Sequence, residues 1–124
     1  MRFQELMAAV LIMANPSAAL ANPIFIVCHL NITGIPGSKL SDTYLRIDTE
    51  KSEISILQAD QSYFNSCKIG SCKFDENFYS RHDPDGGGLK INRKTGEWVS
   101  SGAGRTVIGF CERSSDQTKL PNKF

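Results

Sequence analysis

The chain has 124 residues, with 14 Lys and Arg against 13 Asp and Glu, and 40% of its residues are hydrophobic. That length holds one small domain and not two. A net charge of +1 excludes a nucleic-acid binder working by bulk attraction, and the apolar content excludes an intrinsically disordered chain.

The first 21 residues read as a secretory signal peptide. Arg2 and the terminal amine outweigh Glu5. Leu6 to Ala14 is an unbroken apolar run, too short to span a bilayer. Asn15 and Pro16 break it, and Ala19-Leu20-Ala21 places small residues where a signal peptidase cuts. The expected organisation is a signal peptide over 1–21, a β-domain over 22–113 and a flexible polar tail over 114–124. Phe25-Ile26-Val27 before Cys28 lacks the small residue of a lipoprotein signal, so no lipid anchor is expected. The predicted location is periplasmic or secreted.

Alternation begins at once in the mature part. Ile24, Ile26, Cys28, Leu30 and Ile32 share one face, and Val27, His29 and Asn31 share the other, which predicts a strand with one buried side. Thr33 to Ser41 reads as a loop. Tyr44 to Asp48 and Glu53 to Leu57 are the next two strands. Ser62 to Cys67 and Cys72 to Ser80 carry weaker strand patterns. His82 to Gly88 (HDPDGGG) breaks the pattern. Leu89 to Arg93, Glu97 to Ser100 and Arg105 to Glu112 complete the set. No window of the mature part has helical periodicity. Seven or eight short strands with turns between them predict an all-β domain, an antiparallel meander curled or closed like a barrel.

Residues 45–54 (LRIDTEKSEI) align without gaps to residues 89–98 (LKINRKTGEW). Both patterns suit a hairpin. Asp48 or Asn92 can bond the turn backbone through its side chain, and Gly96 can take a left-handed conformation. Two hairpins that share turn chemistry explain this more simply than a duplicated half-domain.

Cys28, Cys67, Cys72 and Cys111 make an even count in a small exported domain, which predicts two disulfides. A zinc site would want two close knuckles, and only Cys67 and Cys72 are close. The expected pairs are Cys67–Cys72, across a four-residue turn, and Cys28–Cys111, near the two ends of the domain. Loop-closure entropy slightly favours pairing 28–67 with 72–111, so the choice rests on geometry.

Residues with chemistry to offer are few. His29 follows Cys28, but neighbours on a strand point to opposite faces and cannot act as a pair. Asp83-Pro84-Asp85-Gly86 resembles part of a calcium loop but lacks a third acidic position and a following Glu. Gly86-Gly87-Gly88 is followed by neither Lys-Ser/Thr nor a helix, so it is no phosphate loop. No catalytic set emerges, and no metal or cofactor is expected. A hydrolase would have to use His82 with Asp83 or Asp85. Arg46, Lys51, Lys90, Arg93 and Lys94 fall on outer faces or turns, beside Tyr44 and Trp98. Tyr44, Arg46, Lys90, Arg93, Trp98 and His82 are therefore the candidate binding residues, for a protein or envelope ligand.

The early strand with its cysteine, Ile91-Asn92-Arg93-Lys94-Thr95-Gly96 and the closing Gly109-Phe110-Cys111 resemble small exported proteobacterial β-domain proteins of unknown function. Those proteins carry an I-x-R-x-T-G hairpin and end in G-x-C. The resemblance spans about Phe25 to Cys111 and implies a bacterial, envelope-associated β-domain with no assigned activity. A more distant likeness is to periplasmic inhibitors of C-type lysozyme, which are also small β-barrels with joined terminal regions. Ser101-Gly102 matches part of their inhibitory motif, and the matching Lys-Gly is missing. The sequence thus predicts a non-enzymatic, exported binding domain, with an inhibitor of lysozyme-like hydrolases as the alternative.

Overall fold

The computed structural model describes residues 23–35 and 37–119, so the expected signal peptide lies outside the described residues. The described residues form nine antiparallel strands. They are β1 (Ile24–Ile32), β2 (Thr43–Asp48), β3 (Glu53–Leu57), β4 (Tyr63–Asn65), β5 (Ser71–Phe74), β6 (Phe78–His82), β7 (Gly88–Asn92), β8 (Glu97–Gly102) and β9 (Arg105–Arg113). Short 3-10 turns occupy Ser66–Lys68 and Gln117–Lys119.

One sheet contains all nine, in the order β4-β3-β2-β1-β9-β8-β7-β6-β5. Every pairing but one joins strands adjacent in sequence. The exception is β1 with β9, which aligns Cys28 with Cys111. The sheet is two four-stranded meanders, β1–β4 and β6–β9, laid side by side with β5 added at one edge. It curls into a half-barrel whose free edges, β4 and β5, are neighbours in sequence.

Alternation directs the core. Ile26, Cys28, Leu30, Leu45, Ile47, Ile54, Leu89, Ile91 and Trp98 are buried and point to the concave side. Tyr79 joins them from β6, with Phe74 of β5 at its ring edge, 6.1 Å between centroids. Burying so many branched side chains supplies most of the driving force in a domain this small.

The strand count exceeds the sequence expectation because Cys72 to Ser80 is two strands. The turn between them is set by Asp75. Its Oδ1 accepts from the N–H groups of Asn77 and Phe78 at 2.9 and 2.8 Å. Ser62 to Cys67 likewise ends early as a strand. Asn65 caps a 3-10 turn there by accepting from the Cys67 N–H.

The two similar hairpins are β2–β3 and β7–β8, and they share their turn chemistry. Asp48 Oδ1 accepts from the Lys51 N–H at 3.0 Å, and Asn92 Oδ1 accepts from the N–H of Lys94 and Thr95. Equivalent left-handed positions follow, Ser52 at φ 56° and Gly96 at φ 85°.

Both disulfides are present as Cys28–Cys111 and Cys67–Cys72, and no described cysteine is left over for a thiolate metal site. The first joins the two meanders. The second ties the 3-10 turn after β4 to β5, across the gap between the two free edges. The start of the expected tail is held, since the Ser114 N–H donates to the Phe25 carbonyl at 2.8 Å. No helix among the described residues is long and apolar enough to cross a membrane.

Candidate functional site

The six candidate binding residues do not form one patch. Arg46 lies on the outer face of β2, where its guanidinium sits 4.9 Å from the centre of the Tyr63 ring and 3.8 Å from the Glu53 carboxylate. Tyr44 shares that face, half-buried beside Val27. Arg93 stacks on Tyr79 at 4.7 Å and donates from Nη1 to the Asp75 carbonyl at 2.6 Å, so it braces the β5–β6 turn. Trp98 is on the opposite side of the sheet, buried in the core. Its place follows from register, since it pairs with the inward Ile91. Its indole N–H donates to Ser100 Oγ at 3.0 Å.

Lys90 and His82 do come together, on the outer face of β5–β8. Two rows of side chains cross these strands. One runs Lys73, Ser80, Lys90, Val99, and the other runs Ser71, His82, Gly88, Ser101. Small residues in the middle leave a groove of about 620 Å³. Phe78 closes one end, and Gly86-Gly87 closes the other.

The electrostatics of the groove favour an anion. Lys73 and Lys90 flank Ser80 from the two neighbouring strands, so their Cα atoms are about 10 Å apart. Neither forms an ion pair among the described residues. The Lys90 ammonium instead rests 4.3 Å above the Phe78 ring. The groove's one carboxylate, Asp75, is already engaged. The Phe78 and then the Asn77 N–H, with Lys73 and Lys90 beyond, hold its carboxyl below the usual range. Two ammonium groups free of ion pairs, against one carboxylate, with a row of hydroxyls over an open floor, can accept phosphate, sulfate or carboxylate groups. Lys73 and Ser80 were not legible as site residues, because their meeting requires β5 to turn back beside β6.

The acidic loop is built for local structure. Asp83 receives a forked pair of bonds from Arg81, Nε to Oδ1 at 2.7 Å and Nη2 to Oδ2 at 3.2 Å. Asp85 accepts from the Gly87 N–H at 2.9 Å, and Gly86 takes φ 93°. His82 makes no hydrogen bond to Asp83 or Asp85, and no metal-binding group of His, Cys, Asp and Glu occurs among the described residues.

His29 is the one histidine with strong partners. It lies on the outer face of β1, its Nδ1 2.9 Å from Asp42 and its Nε2 2.9 Å from Glu112. The hydrogen bond to Asp42, then that to Glu112, raises its pKa. A carboxylate on each ring nitrogen favours the charged ring, in which both nitrogens donate and neither is free to act as a base. Cys28 beside it is wholly buried, on the opposite face.

No family model, curated protein or solved structure matches the chain.

Proposed function

We propose that the chain is an exported, non-enzymatic binding domain of the cell envelope, periplasmic or secreted, that takes anionic groups of a partner into the β5–β8 groove. The observation that carries this reading is the pair of lysines, Lys73 and Lys90, on either side of Ser80, neither in an ion pair among the described residues and together outnumbering the groove's one carboxylate, Asp75. The two disulfides support it, being suited to an oxidising compartment. The test is retention of the oxidised protein on immobilised cell-wall material across a salt series. The expected result is retention at low salt and release at high salt, with the Lys73→Gln/Lys90→Gln variant folded but not retained. Equal retention of that variant, or no retention of the wild type at any salt, removes the reading.

A second reading, inhibition of lysozyme-like hydrolases, is favoured by the place of Ser101-Gly102. It sits at the exposed tip of the β8–β9 hairpin, where Ala103 and Gly104 take φ 53° and 75°. A lysis assay that shows no protection of cells across a wide excess of protein discards it.

A further inference from the structure

The concave side of the sheet is filled by core side chains at one end only. At the other, where β3 finishes and β7 begins, packing stops short and leaves a cavity of about 310 Å³. Its walls are apolar: Ile56, Leu89, Trp98 and Val107, one side chain each from β3, β7, β8 and β9. The volume is at the small end of the range of about 300–1,000 Å³ usual for ligand pockets.

Polar groups converge on the rim of this cavity, and nearly all are donors. Arg81 enters from β6, only 15% exposed, and spends Nε and one terminal nitrogen on Asp83. Its other terminal nitrogen has no partner among the described residues. Ser100 Oγ accepts from the Trp98 indole, which leaves its own O–H to donate. Arg105, at the start of β9, lines the rim, is exposed and forms no ion pair among the described residues. Asp83 neutralises Arg81, and Arg105 remains as the uncompensated charge.

A chamber with hydrocarbon walls and a donor-rich rim of one net positive charge fits one kind of molecule. We infer that the open end of the half-barrel is a separate binding site for a small monocarboxylate with an apolar body, its chain against Trp98 and Val107 and its head group held by Arg105. The pre-formed Arg81–Asp83 fork keeps the rim in place and limits it to a single negative charge, since a second anionic group would meet the Asp83 carboxylate. The groove of the proposed function opens on the other face of the same strands, and the two share Arg81, Gly88, Leu89, Ser100 and Ser101 in their linings, but Lys73 and Lys90 line the groove alone and Arg105 the cavity alone.

Trp98 is the chain's one tryptophan and forms part of the wall, so its emission reports occupancy directly. The experiment titrates the oxidised full chain with sodium octanoate, octylamine hydrochloride and 1-octanol, each below its aggregation limit. Octanoate is expected to shift the Trp98 emission saturably, 1-octanol to act only at much higher concentration, and octylamine to have no effect. Arg105→Gln is expected to weaken octanoate about tenfold, as loss of a charge-assisted bond predicts, with unchanged thermal stability. Lys73→Gln/Lys90→Gln is expected to bind octanoate like the wild type. The inference is overturned by no saturable response to octanoate, by an equal response to octylamine, by wild-type affinity in Arg105→Gln, or by loss of octanoate binding in the groove variant.

Discussion

Cys28 on β1 and Cys111 on β9 stand directly opposite each other in the ladder, their Cα atoms 4.0 Å apart, and are bonded. They join the one pair of neighbouring strands that sequence order does not bring together. The other bridge, Cys67–Cys72, spans only five positions and closes a turn.

The two bridges should therefore differ in worth. In the chain-entropy picture a loop the size of Cys28–Cys111 contributes about 4.5 kcal/mol, and one the size of Cys67–Cys72 about 2. Urea unfolding of the two double alanine variants, in oxidised protein, checks this. The Cys28→Ala/Cys111→Ala protein should show the larger loss. Removing Cys67 also removes a sulfur that accepts from the Ile54 N–H at 3.2 Å, so that variant should fray β3 locally.

His29 should make stability depend on pH. Its partners Asp42 and Glu112 favour the charged ring, so its pKa when folded lies above the ordinary 6.5. A folded pKa above the unfolded one gives stability that is fully present below the unfolded value and lost as pH rises through the folded value. Urea midpoints at about pH 5.5 and about pH 8.5 should fall between the two for the wild type, and His29→Gln should flatten that fall.

Ser52 offers a stabilising substitution. It holds φ 56° at the position where the matching hairpin uses Gly96. A side chain there costs energy that glycine does not pay, so Ser52→Gly should stabilise the fold by about 0.5–1 kcal/mol. Calorimetry should show a higher Tm, and Gly96→Ser should show a lower one. At Gly96 the added Cβ would also strike the Cys111 carbonyl.

Much of this fold could be read in the residues. The period-two pattern of β1, the side-chain-capped turns at Asp48 and Asn92, and the cysteine pairs all follow from local chemistry. The β5–β6 turn did not show. Cys72 and Phe74 face inward and Tyr79 resumes the inward phase, while Phe78, in step with Cys72 and Phe74, lets the segment pass for one long strand interrupted only at Glu76. One carboxylate, Asp75, makes the reversal, and its only trace in the spacing is the short polar run Asp75-Glu76-Asn77. The groove was hidden for the same reason, since Lys73 and Lys90 are neighbours only across β6. The sequence places Trp98 beside the outer cations, but its register with Ile91 sends it inward.

Gly109 should tolerate no side chain. A Cβ there would fall on the His29 carbonyl and against Leu30, in the middle of the β1–β9 ladder. Neither atom can move without parting the two strands. Gly109→Ala should cost about 2–3 kcal/mol, measured as a lower urea midpoint with both disulfides intact.

The order of strands has a kinetic consequence. Seven of the eight pairings join consecutive strands through connections of at most ten residues, whereas β1 must find β9 across almost the whole domain. Closing that loop carries the largest entropic penalty in the fold, so the two meanders can assemble while their shared seam is still open. Until it shuts, β1 and β9 are two more exposed rims, and the late Cys28–Cys111 oxidation is the step that makes their meeting permanent.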